Sequence, residues 1–288
     1  MKAGSQSEKS VGTLYIVPTP IGNLEDITFR AVRILKSVSC ILAEDTRLTG
    51  ILCQRLEIFT RRIHFDEHNS TTKIPWIIDQ LQTGNDFALV SDAGSPGISD
   101  PGGPLIRQTI EASLPLVVLP GPSSVITALT GSGFFIDRFL FEGFLPRKGK
   151  ARTEILSALK HEERTIILFE SPKRLSATLE DLAQTIHRER RATVARELTK
   201  IHETWHRGTL NQLSEYFEKS PPRGEMVIVI EGATKTKPDP HSVAVESQVV
   251  TALNEGLGVK ETARMVAAQT GLPASQIYRL ALHLKNLP

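Results

Sequence analysis

The sequence predicts an α/β protein built as two domains of similar size followed by a short helical tail. Three observations lead there. The chain has 288 residues, roughly twice the length of a common domain. Short apolar runs alternate with stretches of helical periodicity, the signature of a parallel sheet covered on both faces. The alternation then restarts with different spacing after residues 120–125. The predicted divisions are 12–122 and 123–232 for the two α/β domains, 233–241 for a linker and 242–288 for the tail.

Each element has a local reason. Thr13–Val17 is a β-rich run ending at the turn Pro18-Thr19-Pro20-Ile21-Gly22. Asp26 is placed to cap a helix whose apolar face carries Ala31, Ile34, Leu35 and Val38. Ser39–Ala43 reads as a second strand. A helix over Ile74–Leu81 ends near Gly84, with Pro75 expected in its first turn. Phe87–Val90 is a buried strand running into Ser91–Gly97. A helix at Leu105–Ala112 precedes the strand Leu116–Leu119, closed by Pro120-Gly121-Pro122. In the second half, Arg138–Gly143 and Thr165–Glu170 read as strands around a helix at Arg152–Leu159. Leu175–Ile186 is helical, and Ala192–Arg196 and Glu225–Glu231 are strands. Gly232–His241 is polar and contains proline, as linkers do. In the tail, periodic helices at Val259–Thr270 and Ala274–Leu284 flank Gly271-Leu272-Pro273, like a helix-turn-helix. No internal repeat stands out.

Composition excludes several classes. A 40% hydrophobic chain is not disordered, and 20 Gly with 17 Pro is neither collagen-like nor low-complexity. No apolar run approaches the ~18–20 residues that span a bilayer, and the N-terminal segment lacks the apolar core of a secretory signal. Two cysteines, Cys40 and Cys53, cannot form a disulfide framework, which points to a reducing, cytoplasmic setting. The net charge of +2 does not imply nucleic acid by itself, so an anionic partner needs local basic clusters.

Two motifs fail on context. His202-Glu203-Thr204-Trp205-His206 matches the H-E-x-x-H zinc pattern, but that chemistry needs a helix and Thr204 and Trp205 favour a strand. Gly143–Lys150 has one residue too many for a phosphate-binding Walker loop, and Ala151 stands where Mg²⁺ needs Ser or Thr. No metal site is expected. The G-x-G-x-x-G fingerprint is absent after the first strand.

Chemistry is expected at strand ends. Pro18–Gly22, Asp92–Gly97 and Pro120–Ser124 are small, turn-forming segments, and open parallel sheets bind ligands beyond the carboxyl ends of their strands. Asp92 could accept hydrogen bonds from a ribose or sit near a cation; the plain alternative is a tight turn with Asp92 as a cap. Glu44, Asp45 and Arg47 end another strand, where two carboxylates beside a guanidinium could tune an acid/base pair or form only a cap and a surface ion pair. Arg196 to Lys200 is the third segment, with Lys200 suited to a phosphate or, if desolvated, to accepting a proton; a solvated charge run is the alternative.

These segments occur in a specific succession: VPTPIGNLEDIT (17–28), AEDTR (43–47), LVSDAGSPGISDPG (89–102), LPGPSSVITAL (119–129), FEGFLP (141–146), ARELTK (195–200) and GEMVIVIEG (224–232). Over roughly residues 12–232 the chain resembles the bacterial small-subunit ribosomal RNA methyltransferases of the tetrapyrrole methylase superfamily, which methylate a cytidine ribose 2′-hydroxyl. The resemblance implies a two-domain tetrapyrrole-methylase-like fold with S-adenosylmethionine bound in the cleft between domains. It also implies a homodimer, and a cytidine of the 16S rRNA decoding region as substrate. It implies cofactor contacts at Pro20, Ile21, Gly22, Asp92, Ala93, Gly94, Ser95, Ile98, Ser123 and Ser124, and at Phe169, Glu170, Met226 and Val227 on second-half strands. The proton acceptor is then sought among Glu44, Asp45 and Lys200, with Arg47 and Arg196 holding phosphate or a carboxylate.

RNA binding is expected from Arg147, Lys148, Lys150 and Arg152 on a Gly/Pro-rich loop, with Arg61 and Arg62 as a second cluster. Ser275, Gln276, Tyr278 and Arg279 open the last helix, where an RNA contact or simple packing is favoured over operator reading. Rival readings are a tetrapyrrole carbon methylase, and a non-catalytic ribosome-assembly or DNA-binding protein that uses the tail.

Overall fold

A computed structural model describes residues 11–234 and 242–286. One compact unit ends at Ala233 and a second begins at Thr234. Residues 235–241 of the expected linker lie outside the described residues.

The first unit contains two five-stranded sheets. In the first sheet, β1 (Leu14–Ile16), β2 (Cys40–Ala43), β3 (Arg62–His64), β4 (Phe87–Val90) and β5 (Leu116–Val118) run parallel in the order β3-β2-β4-β1-β5. Both faces are covered, so successive strand residues alternate between two cores. Leu14, Leu42 and Leu89 pack with Ile77 of α3 (Glu67–Gln82) and Leu105 of α4 (Gly103–Glu111). Ile41, Ala43 and Ala88 face Ala31 and Leu35 of α1 (Phe29–Ser37) and Cys53 of α2 (Thr46–Arg55).

The second sheet is mixed. β6 (Phe139–Phe144), β7 (Thr165–Glu170), β8 (Arg191–Arg196), β9 (Thr204–Thr209) and β10 (Met226–Ile230) stand in the order β6-β7-β10-β8-β9. Only β6 and β7 are parallel. Ile166, Leu168, Ile228 and Ile230 meet Leu156 of α6 (Lys150–Leu159), Leu179 and Leu182 of α7 (Leu175–Thr185), and Leu213 and Phe217 of α8 (Leu210–Lys219). The opposite face, with Ile167, Ala195, Val227 and Val229, takes Val125, Ala128 and Leu129 of α5 (Ser124–Ser132). Helix α5 follows β5 yet packs on the second sheet, so it ties the halves together. Its Gly131 admits the Trp205 ring, whose atoms a Cβ there would strike.

Several local expectations change. Asp26 lies in a 3₁₀ turn, Leu24–Asp26, and Thr28 caps α1 instead, its hydroxyl oxygen accepting the Ala31 N–H at 3.0 Å. Helix α3 begins at Glu67 behind an Asp66/Asn69 capping box, so Pro75 sits inside the helix and not in its first turn. Elements α2, β3, α5 and α8 go beyond the elements expected from periodicity.

The second unit is a three-helix cluster, α9 (Val243–Asn254), α10 (Val259–Thr270) and α11 (Ala274–Lys285), around Val249, Val266, Ile277 and Leu280. Gly271, at φ 72°, ends α10 in the left-handed conformation that suits glycine. Ser275, Gln276, Tyr278 and Arg279 are exposed on α11.

Candidate functional site

Because β1, β2, β4 and β5 are parallel, their carboxyl-end loops gather on one edge of the first sheet. In the second sheet, antiparallel register brings the start of β10 to the ends of β7 and β8: Met226 lies opposite Glu170 and Arg196, and Val227 opposite Phe169 and Ala195. Between these two edges is a cavity of about 500 Å³. Glu44, Asp92, Ala93, Ile98, Asp100 and Ser124 line it from the first side, and Phe144, Phe169, Glu170, Met226 and Val227 from the second. A cavity of about 260 Å³ adjoins it, lined by Pro20, Ile21, Gly22, Leu48, Ile51 and Lys200, and shares Asp92, Ala93 and Glu225.

The main cavity is acidic at one end and apolar at the other. Burial pushes the Glu44 carboxyl up, and the neighbouring charges of Asp92, Asp100, Asp66 and Asp45 push it further. Burial also raises Asp100. One of its oxygens accepts the Gly97 and Gly102 N–H groups at 2.6 and 2.9 Å, while the other is buried with no hydrogen-bond partner. Phe169 packs edge-on against Phe141 at 5.0 Å and lies 5.5 Å from Phe144, forming an aromatic wall.

Asp45 faces a different task. It caps α2 by accepting the Arg47 N–H at 2.8 Å and grips the Arg47 guanidinium at 2.7 and 3.1 Å. The Arg47 side-chain and backbone hydrogen bonds hold its carboxyl well below the usual range, so it is a weak proton acceptor. Its own N–H donates to Asp92 at 2.9 Å, which joins the β2 and β4 loops.

Lys200 sits between two carboxylates, 2.9 Å from Glu197 and 3.2 Å from Glu225. Burial opposes its charge, but hydrogen bonds and attraction from Glu197 and Glu225 outweigh that and raise it, so it stays an ammonium. Its loop is strained: Glu197 and Thr199 adopt φ values of 53° and 63°. Thr199 accepts the Asn23 N–H at 3.0 Å and donates its own N–H to Glu203 at 2.6 Å. Gly22 allows this docking, since a Cβ there would lie 2.8 Å from both the Leu198 carbonyl oxygen and the Thr199 hydroxyl.

The two cavities therefore gather Pro20, Ile21, Gly22, Asp92, Ala93, Ile98, Ser124, Phe169, Glu170, Met226 and Val227, together with Glu44 and Lys200. Gly94, Ser95 and Ser123 line neither. Gly94 exchanges backbone hydrogen bonds with Thr19, the Ser95 hydroxyl donates to the Pro122 carbonyl, and Ser123 caps α5. They hold the walls in place. Glu170 is buried, accepting the Ser171 N–H and the Thr178 hydroxyl, each at 2.7 Å.

Arg152 requires a correction. It turns inward, donating to Asp181 at 2.7 and 3.0 Å, to the Pro146 carbonyl at 2.9 Å and to Thr178 at 3.2 Å. A buried guanidinium with its donors engaged cannot meet a phosphate. Arg147, Lys148 and Lys150 remain exposed. The H-E-x-x-H segment ends in β9, and the His206 ring packs 5.0 Å from Tyr216 and Phe217. Asp100, Phe144 and Glu225 are among the cavity residues that motif reading passed over, although each lies inside a quoted segment.

Among the described residues no helix is long and apolar enough to cross a membrane. Residues 13–214 match the family model described as tetrapyrrole (corrin/porphyrin) methylases. The chain is 46% identical over 276 residues to a ribosomal RNA small subunit methyltransferase I from Synechocystis, covering 96% of this chain and 99% of that one. It is 42% identical over 284 residues to the protein of that name from Escherichia coli O157:H7, covering 98% and 99%. The fold resembles a uroporphyrin-III C-methyltransferase from Thermus thermophilus complexed with S-adenosylhomocysteine, at TM-score 0.57 and 16% identity over 76% of this chain and 97% of that one.

Proposed function

The chain belongs to the tetrapyrrole (corrin/porphyrin) methylase family, and we propose that it is an S-adenosylmethionine-dependent methyltransferase acting on small-subunit rRNA, its target the 2′-hydroxyl of a cytidine ribose in the decoding region. The observation that carries this reading is the 42–46% identity to two small-subunit rRNA methyltransferases over nearly the whole of each chain. The homodimer implied by the sequence resemblance and the cytoplasmic setting that the two cysteines point to are part of the same reading.

The cleft fits the cofactor. Its volume of about 500 Å³ lies within the range of small-molecule sites. Its apolar wall of Phe144, Phe169, Met226 and Val227 suits a purine, and Asp100, with an unpartnered buried oxygen, suits the positive end of the molecule. Bound there, S-adenosylmethionine supplies an electrophilic methyl group on a sulfonium.

The protein's part is alignment and proton handling. In-line attack rewards a rigid cleft, and the cap, bridge and backbone contacts of the β1, β2 and β4 loops supply that rigidity. Glu44 is the proton acceptor in this reading: it faces the cavity, and its raised carboxyl is a stronger base than a free one. Asp45 acts through position, since its oxygens are engaged by Arg47 and the α2 terminus. Lys200, held charged, suits a phosphate near the ribose. Arg147, Lys148 and Lys150 suit phosphates farther along the RNA.

The test is methyl transfer from labelled S-adenosylmethionine to 30S subunits, with mass spectrometry of the decoding region. A 2′-O-methylcytidine that requires the wild-type protein supports the reading. Cofactor binding with no rRNA product rejects it.

A further inference from the structure

A groove of about 880 Å³ lies outside the cleft, between the start of α1 and the end of α2. Its floor is apolar, from Ile27, Val32 and Leu56, and Arg33, Lys36 and Arg55 stand on its rim. These three cations are exposed, and none makes a hydrogen bond or ion pair among the described residues. Phe29 lines the same groove at 98% exposure, an aromatic ring with almost no packing of its own. Glu25 is the one acidic liner.

The groove is continuous with the site. Leu24 lines both this groove and the smaller cavity that holds Gly22 and Lys200, and that cavity shares Asp92 and Glu225 with the main cleft. A track therefore leads from the cleft to the α1 surface. Unpaired cations beside an exposed aromatic ring are the combination that binds single-stranded nucleic acid: the cations neutralise phosphates and the ring stacks on a base whatever its identity.

We propose that this groove holds the single-stranded RNA flanking the acceptor nucleotide, with Phe29 stacked on a base and Arg33, Lys36 and Arg55 on consecutive phosphates. The proposal rests on the rRNA reading of the cleft and adds the path that the strand takes away from it. A second copy of this chain is the competing occupant, but three unneutralised positive charges suit a polyanion better than an identical, equally basic surface.

The experiment uses the full chain, 30S subunits and a decoding-region RNA oligonucleotide. Phe29→Ala is expected to weaken oligonucleotide binding about fivefold or more without changing its salt dependence. The triple variant Arg33→Ala/Lys36→Ala/Arg55→Ala is expected to flatten the log–log salt slope by about 2, from ~0.7 per phosphate contact on a single strand. KM for 30S should rise while calorimetric affinity for S-adenosylmethionine stays at the wild-type value. All four side chains are exposed, so the fold should survive. Wild-type protein that methylates 30S, with variants that match it in RNA affinity and salt slope, overturns the groove alone. Variants that lose self-association and keep wild-type RNA binding assign the surface to a second copy and overturn the proposal. Wild-type protein that methylates no rRNA overturns the parent reading and the groove with it.

Discussion

Replacing Arg152 by alanine separates a structural arginine from its exposed neighbours. This guanidinium donates four hydrogen bonds: two to Asp181, one to the Pro146 carbonyl and one to the Thr178 hydroxyl. The Asp181 side chain is 46% exposed, so water replaces most of that attraction and the pair is worth only about 1 kcal/mol or less. The Pro146 and Thr178 bonds, taken at the net value of an ordinary intramolecular hydrogen bond, add about 1 kcal/mol each, and the packed stem adds part of another. The expected loss is about 2–3 kcal/mol. With a urea dependence near 3 kcal/mol/M, at the upper end for globular proteins, the unfolding midpoint should fall by roughly 0.7–1 M. Arg147→Ala and Lys148→Ala should stay within about 0.5 kcal/mol of wild type and instead reduce the salt dependence of RNA binding. The assay is urea unfolding followed by fluorescence, beside RNA titrations at several salt concentrations. An Arg152→Ala protein of wild-type stability with a flattened salt slope would refute the reasoning.

Three further outcomes follow from the same geometry. If Glu44 accepts the proton, activity falls as pH drops through a carboxyl raised above its usual range, and Glu44→Gln removes that acidic limb from the pH–rate profile while keeping cofactor affinity. A carboxylate raised on folding costs stability at high pH. Glu44→Gln should therefore be more stable than wild type at neutral pH, with the gap closing as pH falls below the unfolded carboxylate value; denaturation across pH checks this. Gly22→Ala forces a Cβ against the backbone of the Leu198–Lys200 loop and should cost about 1–3 kcal/mol while weakening cofactor binding, read by thermal unfolding and calorimetry. Lys200→Met leaves Glu197 and Glu225 facing each other and should raise KM for 30S, with partial rescue by Lys200→Arg.

The exposed α11 residues show how far a motif reaches. Ser275, Gln276, Tyr278 and Arg279 are displayed as a helix-turn-helix would display them, because the same helical period turns Ile277, Leu280 and Ala281 into the core of the tail. The groove beside α1 is the reverse case. Phe29, Arg33 and Lys36 share a face of α1 at i, i+4 and i+7 spacing, but only the folded chain brings Arg55 of α2 beside them to make a groove.

What the sequence determined by itself is local. Alternating apolar runs placed most of the strands, since a buried strand needs apolar residues wherever it lies, and Gly- and Pro-rich turns marked the carboxyl ends where Gly22 and Asp92 stand. Capping preferences are also local, but nearby polar residues compete for them; Thr28 took the position expected for Asp26. The tertiary structure decided what depends on distant partners. Arg152 read as part of a basic arm until α7 supplied Asp181 and Thr178. Asp45 and Glu44 are adjacent and chemically alike, yet one is held ionised by Arg47 and the other raised by burial and like charges. Met226 meets Glu170 through antiparallel register alone. A side chain's identity is written in the chain, whereas its basicity, burial and neighbours come from contacts that close only when remote segments pack.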